Sequence, residues 1–127
     1  MFKAKISYHL VFVTKYRKKV LTDEILDIIQ SVLRRAASEH NFKIIAFGSE
    51  NMDHIHLVIE TRPTQNVSTL VQLMKQYTRY HVWKKHAPYL RQFYWRNNYL
   101  WSSGYFCSSL GNVSKDIVLE YVAKQQY

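Results

Sequence analysis

The order in which strand-like and helix-like hydrophobic patterns follow one another constrains the fold of this chain more than any other feature. Residues 6–13 are rich in β-branched and aromatic side chains, which favours a first strand. From Thr22, the expected N-cap, apolar residues recur at helical spacing and predict a helix to about His40. Residues 42–47 and 52–60 then have strand patterns close together, which predicts an antiparallel pair.

The connections that follow carry turn and helix signals. Residues 48–51, Gly-Ser-Glu-Asn, supply turn chemistry between the two strands. Pro63 ends the second strand, and a helical pattern from Val67 is expected to end before Pro88. Residues 89–98 are aromatic, basic and without periodicity, which predicts irregular structure.

The end of the chain completes the pattern. Residues 99–110 predict a last strand with a bulge or bend at Gly104, and Ser114 is the expected N-cap of a final helix over about 114–126. The order is βαββαβ plus a terminal helix, which predicts an α+β fold with a ferredoxin-like antiparallel sheet. A chain of 127 residues suits one domain over 1–127.

Composition indicates a globular protein that meets phosphate. The chain has 18 basic against nine acidic side chains, a net charge of +9, and 15% aromatic residues. Basic side chains follow a nucleic-acid backbone while aromatic rings stack on unpaired bases. Neither a membrane-length apolar run nor a signal peptide is evident, so a cytoplasmic protein is expected. The single cysteine, Cys107, is predicted to be a small buried hydrophobe.

The segment "MDHIHLVIE" places two histidines in a predicted strand. Because successive strand side chains point to opposite faces, His54, His56 and Val58 share one face. The other face takes the apolar residues Ile55, Leu57 and Ile59. Two adjacent imidazoles can hold a metal ion or can simply line a solvent-facing side of the sheet.

Tyr121 and Gln125 stand four residues apart in the predicted final helix, so they lie on one helix face. Apolar neighbours on that face would dock the helix. Taken alone, the pair is also compatible with a packed tyrosine and a fraying glutamine.

Four segments together resemble the single-tyrosine HUH transposases of small bacterial and archaeal insertion sequences. They are "YHLVFVTKYRKKVL", "MDHIHLVIE", "LWSSGYF" and "EYVAKQ", and they occur in the family's order along the whole chain. HUH denotes two histidines around a bulky hydrophobic residue. The resemblance is therefore far more specific than the histidine pair alone.

The resemblance implies a role for each residue of the site. His54, His56 and Gln125 match three ligands of a divalent metal, and Tyr121 matches a nucleophile that forms a 5′-phosphotyrosine link with single-stranded DNA. Asp53 and Glu60 are possible further ligands or outer groups, with Asp53 expected to point away from His54. The family works with Mg²⁺ or Mn²⁺, and no nucleotide cofactor is expected because the chain lacks a phosphate-binding loop motif. Tyr127 is a rival tyrosine that faces elsewhere.

The resemblance also implies partners. Family members are homodimers that recognise DNA hairpins at the element ends, which would place the activity at the nucleoid. Candidate contacts with the hairpin phosphates are Arg17, Lys18, Lys19, Lys75 and Arg79. Candidates for holding unpaired bases are Arg91, Phe93, Tyr94, Trp95 and Arg96.

Two alternatives stay open at the level of sequence. One keeps the same chemistry but assigns it to a host-adopted strand transferase acting on repeated palindromes, or to a replication or conjugation nickase. The other is a non-catalytic single-stranded nucleic-acid-binding module of the same shape, although the RNA-recognition motif pattern is absent. Cleavage that depends on Tyr121 distinguishes the enzymes from the module.

Overall fold

The computed structural model describes residues 4–125 and contains a four-stranded sheet with three α-helices. In chain order the elements are β1 (Ile6–Val13), a 3-10 helix (Lys15–Arg17), α1 (Asp23–Glu39), β2 (Lys43–Glu50), β3 (His54–Thr61), α2 (Val67–Arg91), β4 (Phe106–Leu110) and α3 (Asn112–Ala123). The strands are antiparallel in the order β2-β3-β1-β4. This topology confirms the predicted ferredoxin-like sheet with an additional C-terminal helix.

The main core lies between the sheet and the helices α1 and α2. Thr22 caps α1 as predicted, accepting a hydrogen bond from the Ile25 backbone N–H at 3.3 Å. The inward faces of β1 and β3 contribute fully buried residues, among them Phe12 and Leu57. Burial of such side chains contributes roughly 1.5–3 kcal/mol each and fixes the strand register.

Helix α3 covers the opposite face of the sheet, where it contacts β2, β3 and β4. Within the described part of α3, Val122 is the single buried residue. A short helix with one buried anchor is held weakly, because isolated helices of this length are marginal in water. Its position therefore depends on the few side-chain contacts that it makes with β2 and β3.

The predicted turn between β2 and β3 is displaced. Strand β2 continues through Gly48 to Glu50, and the chain turns over residues 51–53 instead. Asn51 and Met52 both have positive φ values, 58° and 59°, and the Asp53 N–H donates to the Glu50 carbonyl. Asn51 and Met52, both in the left-handed region, reverse the chain direction without a glycine, so Gly48 is not needed for the turn.

The second helix does not end before Pro88. Helix α2 runs to Arg91 and bends at His86, whose φ of −123° and ψ of 30° are not helical. The bend lets Pro88 occupy the first turn of the following helical segment, where its missing N–H costs nothing. The fully buried Leu90 anchors that last segment in the core.

The last strand is shorter than predicted. Only Phe106–Leu110 form β4, and Trp101 makes an isolated bridge with Thr14. Gly104 lies in the irregular segment between them rather than at a bulge. The Lys75 ammonium donates to the carbonyls of Ser102 at 2.8 Å and Gly104 at 2.7 Å, which satisfies backbone groups that strand pairing would otherwise use.

The start of α3 and the environment of Cys107 also differ from prediction. The N-cap is Gly111 rather than Ser114, and α3 ends at Ala123, while the predicted helix end at residue 126 lies outside the described residues. Cys107 is exposed, because it pairs with Leu10 on the α1 and α2 side of the sheet, where the edge strand β4 lies largely beyond those two helices. No helix within residues 4–125 is long and apolar enough to cross a membrane.

Candidate active site between β3 and α3

The two histidines of β3 are each held through one ring nitrogen. His54 Nδ1 lies 2.7 Å from Asp53 Oδ1, and His56 Nδ1 lies 3.0 Å from His9 Nε2 on the neighbouring strand β1. The His54 and His56 ring centroids are 5.0 Å apart. Neither Nε2 atom has a hydrogen-bond partner among the described residues, so both are free to act as ligands.

Burial keeps His56 neutral. The pKa of His56 falls from 6.5 to about 4, first because burial penalises the charged ring and second because His54 and His9 lie near it. Burial also lowers the pKa of His9. A metal ligand must present a neutral imidazole, and His56 meets this condition at neutral pH.

Tyr121 and Gln125 meet at one carboxylate oxygen. The Tyr121 hydroxyl donates to Glu50 Oε1 at 2.7 Å, and the Gln125 Nε2 donates to the same atom at 2.5 Å. The Tyr121 ring lies 5.5 Å from the His56 ring. The sequence prediction that Tyr121 and Gln125 lie together is confirmed, although Gln125 stands in the turn just after α3 rather than on the helix.

The hydrogen bond between Tyr121 and Glu50 shifts the pKa of both side chains. The hydrogen bond from Tyr121 is the main cause that lowers the pKa of Glu50. The same bond raises the pKa of Tyr121, because the carboxylate favours the protonated phenol. Tyr121 is therefore held as a phenol, with a proton acceptor already in contact.

Gly48 allows α3 to approach β2. A Cβ atom at this position would overlap Gln125 Oε1 and would lie 3.0 Å from the Val122 carbonyl oxygen. The glycine thus provides close approach of two backbones. It is this contact, and not the turn, that requires glycine at position 48.

The donor set fits a divalent cation. Gln125 Oε1 is buried and has no hydrogen-bond partner among residues 4–125. A buried acceptor of this kind is unfavourable unless a cation or a donor binds to it. Two free imidazole nitrogens stand on the adjacent strand. The described residues contain no group of three or more His, Cys, Asp and Glu side chains arranged to hold a metal, so an amide oxygen would have to complete the set.

The basic loop after β1 borders this site. Arg17 Nη1 lies 3.9 Å from Asp53 Oδ2, and Lys19 Nζ donates to the Asn51 carbonyl at 3.1 Å. Arg17, Lys18 and Lys19 are all exposed. The loop therefore places positive charge beside the histidines.

The other predicted DNA contacts bond to, or stack on, groups that are not part of the histidine site. Lys75 is half-buried and occupied by the two carbonyls named above, and Arg79 donates to the Asn98 carbonyl at 3.3 Å. Arg91 stacks on Trp83, whereas Arg96 stacks on the exposed Trp95. In the same segment Tyr94 is buried and Phe93 packs against the core. The proposed DNA roles of these residues stay predictions.

Sequence reasoning misjudged one of the groups that orient the site and missed two others. Asp53 was expected to point away from His54, yet it bonds to it, because Asp53 lies in the turn where strand alternation does not apply. Glu60 is bound by Lys5 and Lys115 and is not part of the site. Glu50 and His9 come from neighbouring strands, so only the sheet register could have identified them.

Comparison with known proteins places the chain among transposases. Residues 2–125 match the family described as Transposase IS200 like, and the chain belongs to this family. Family membership confirms the resemblance found in the sequence motifs and implies DNA cleavage and strand transfer. The chain is 27% identical over 122 residues to the ISDra2 transposase TnpA of Deinococcus radiodurans, covering 95% of this chain and 84% of that protein.

Further relatives agree. The transposase for insertion sequence element IS200 of Salmonella typhimurium is 28% identical over 119 residues, covering 93% of this chain and 75% of that protein. A solved Deinococcus radiodurans structure, described as a candidate transposase, superposes with a TM-score of 0.77 at 26% identity over 98% of this chain and 94% of that one. A REP-associated tyrosine transposase bound to a REP hairpin shares the fold. It superposes with a TM-score of 0.67 at 11% identity, covering 96% of this chain and 67% of that one.

Proposed function

We propose that this chain is an insertion-sequence transposase that cleaves and rejoins single-stranded DNA through a 5′-phosphotyrosine intermediate on Tyr121. The observation that carries the proposal is the convergence of Tyr121 and Gln125 on Glu50 beside two histidines with free Nε2 atoms. A structural tyrosine would not need a buried, unpartnered amide oxygen next to it. The whole of 1–127 would act as one transposase domain.

The cleavage step uses residues that are already in contact. The Tyr121 oxygen attacks the phosphorus of a DNA phosphodiester, and its proton passes to Glu50 Oε1, which lies 2.7 Å away. The bond from phosphorus to the 3′-oxygen breaks, and that oxygen receives, through water, the proton that Glu50 accepted, so no proton is gained or lost overall. The products are a 5′-phosphotyrosine link and a free 3′-hydroxyl. A 3′-hydroxyl from another end can reverse the step and join strands without a nucleotide cofactor.

His54, His56 and Gln125 would hold a divalent metal, Mg²⁺ or Mn²⁺, which as a Lewis acid neutralises charge on the phosphate oxygens. Asp53 and His9 orient the two imidazoles through their Nδ1 atoms, which leaves Nε2 as the ligating atom. Displacement of Gln125 from Glu50 would deliver its amide oxygen and free Glu50 for the Tyr121 proton.

DNA would reach the site over a basic and aromatic border. Arg17, Lys18 and Lys19 stand beside the histidines and could hold phosphates. Tyr16, which directly precedes Arg17, lines one cleft with Trp95. The two residues are 67% and 71% exposed, and unpaired bases could stack on their rings. The REP-associated protein of the same fold is bound to a DNA hairpin, which supports hairpin ends as the substrate, acted on at the nucleoid.

A second copy of the chain is the proposed protein partner. Strand β4 is an edge of the sheet, and Phe106 on it is 52% exposed. On the adjacent helix, Val113 and Ile117 are 76% and 65% exposed. An uncovered edge with apolar neighbours is suited to pairing with another strand, which supports a homodimer.

The test is covalent capture of DNA. The protein is incubated with Mn²⁺ or Mg²⁺ and single-stranded oligonucleotides that tile the DNA flanking its gene, and adducts are resolved on a denaturing gel. A metal-dependent adduct should form with the wild type and with the control Tyr80→Phe, whose ring is exposed on α2. It should disappear in Tyr121→Phe while DNA binding persists. An adduct that survives in Tyr121→Phe rules out the assigned nucleophile.

A further inference from the structure

A second basic site lies at the far end of β3 from the histidines. Four cationic side chains, those of Lys5, Arg34, Lys43 and Arg62, surround a groove of about 580 Å³ between α1 and the ends of the strands; we call it the basic groove. His56 and Thr61 are five residues apart on β3, so this groove begins roughly 16 Å from the candidate active site. It shares no residue with that site.

The charges of the basic groove are largely available to a ligand. Lys43 and Arg62 are exposed and make no ion pair with another described residue. Among the described residues that line the groove, Glu60 alone carries a carboxylate, and Lys5 and Lys115 already bind it on the sheet face that α3 covers. Arg34 gives one N–H to the Ile44 carbonyl at 3.4 Å and keeps its other donors.

The wall of the groove carries an unsatisfied polar atom. Thr61 is only 2% exposed and lines the groove, and its Oγ1 has no hydrogen-bond partner among residues 4–125. A buried hydroxyl without a partner is unfavourable in the free protein. Because the oxygen itself is covered, a ligand in the groove can bond to it only after a small shift of the groove wall. Part of the wall is apolar and is supplied by Ala37, Phe42, Ile44 and Ile45, beside the polar Ser38 and Asn41.

We propose that the basic groove binds one nucleotide of an unpaired DNA strand. Lys43 and Arg62 hold its phosphate, and the apolar wall takes the face of the base. Binding shifts the wall enough for the covered Thr61 Oγ1 to bond to the nucleotide. Paired cations above an apolar surface match a nucleotide, which is anionic at the phosphate and flat and weakly polar at the base. This inference rests on the proposed function for the identity of the strand, and it adds an anchor for that strand away from the site of cleavage.

The first test measures binding of a labelled oligodeoxythymidylate, which forms no hairpin, by fluorescence anisotropy at several salt concentrations. The double variant Lys43→Gln/Arg62→Gln should raise the Kd roughly tenfold and lower the salt slope by about two. The matched control is Lys84→Gln/Lys85→Gln, which removes the same charge from exposed positions on α2. Equal weakening in both doubles would mean that only overall charge matters, and would overturn the proposal.

The second test uses the buried hydroxyl. Thr61→Val keeps the shape of the side chain and removes its unpartnered oxygen, so the melting temperature should stay level or rise while the Kd rises about fivefold. Thr61→Ser, which restores a hydroxyl, should recover binding. Unchanged affinity in a folded Thr61→Val protein contradicts the proposal.

Two further measurements separate the possible causes of failure. If the base sits in the groove, Thr61→Val should no longer change the Kd when the oligonucleotide is abasic. Inorganic phosphate that competes as well as the oligonucleotide would show that the groove binds phosphate alone, and would refute the proposal. The groove variants should still form the Tyr121 adduct at saturating DNA. Absence of an adduct in the wild type is instead a failure of the proposed function and leaves the groove binding result standing.

Discussion

The contact between Gly48 and the end of α3 allows one substitution to separate fold from activity. Gly48→Ala adds a single methyl group, which would overlap Gln125 Oε1 and press on the Val122 carbonyl at 3.0 Å and the Gln125 Cβ at 3.1 Å. The φ angle of Gly48 is not positive, so strand β2 itself accepts alanine. The strain therefore falls on α3 and the turn after it.

The magnitudes indicate that α3 will move rather than the sheet. An extra methyl group in a packed contact costs about 1–3 kcal/mol, whereas the restriction of the unfolded chain by alanine returns about 0.4–1 kcal/mol. Burial of Val122, the one buried residue of α3, contributes about 1.5–3 kcal/mol. The strain is thus similar in size to the docking free energy of α3, and each 1.4 kcal/mol lowers the ratio of docked to undocked α3 about tenfold.

The expected result is a protein that melts within a few degrees of the wild type but has lost Mn²⁺ affinity and DNA adduct formation. Hydrogen exchange should accelerate in the backbone amides of α3 while the amides of β1 and β3 stay protected. The control is Gly104→Ala, because a Cβ at Gly104 meets nothing within 4 Å. If Gly48→Ala keeps the α3 protection and the adduct yield of the wild type, the inferred link between this contact and the site is refuted.

Three other measurements test separate parts of the structure. Because the folded pKa of His56 is about 4 against 6.5 ordinarily, the unfolded chain binds a proton first, so the metal-free protein should lose stability as the pH falls from about 6.5 to about 4. Urea midpoints across that range should decline less in His56→Gln, and an equal decline would contradict the assignment. Lys75→Met removes two hydrogen bonds to the segment before β4 and should lower the free energy of unfolding by about 1–3 kcal/mol. The control Lys84→Met, on the exposed face of α2, should not. Equal free energies of unfolding in the two variants would show that Lys75 does not hold the segment. Cys107 is exposed on β4, so its reaction with a thiol reagent should slow as protein concentration rises if β4 pairs with a second copy; a rate independent of concentration counts against that interface.

The parts of the fold that sequence predicted are those governed by local pattern. Alternation in β1 and β3 and the Thr22 cap followed from the chain itself, and hydrophobic periodicity correctly gave the order of elements. The end of α2 could not be predicted in this way. Pro88 signals a stop, but packing of Leu90 carries the helix past it after a bend at His86.

The candidate site divides along the same line. Spacing placed His54 with His56 and Tyr121 with Gln125, because each pair lies within one segment. The carboxylate that binds both Tyr121 and Gln125 belongs to Glu50, which is distant in sequence from Tyr121 and meets it only when α3 folds back over the sheet. Such contacts depend on register and on helix docking, which no local pattern records.

The turn at residues 51–53 determines what length changes this hairpin can tolerate. It pairs Glu50 with His54, and its left-handed residues Asn51 and Met52 fix the number of residues between the strands. One residue more or fewer would shift β3 by one position. The histidines would then face α1 and α2, while Ile55 and Leu57 would face α3. A change of two residues would keep each side chain on its face of the sheet, but it would move Glu50 out of register with His54. Natural variation in this family is therefore expected to alter the identity of the turn residues while preserving their number, and an insertion there would mark a copy that has lost its activity.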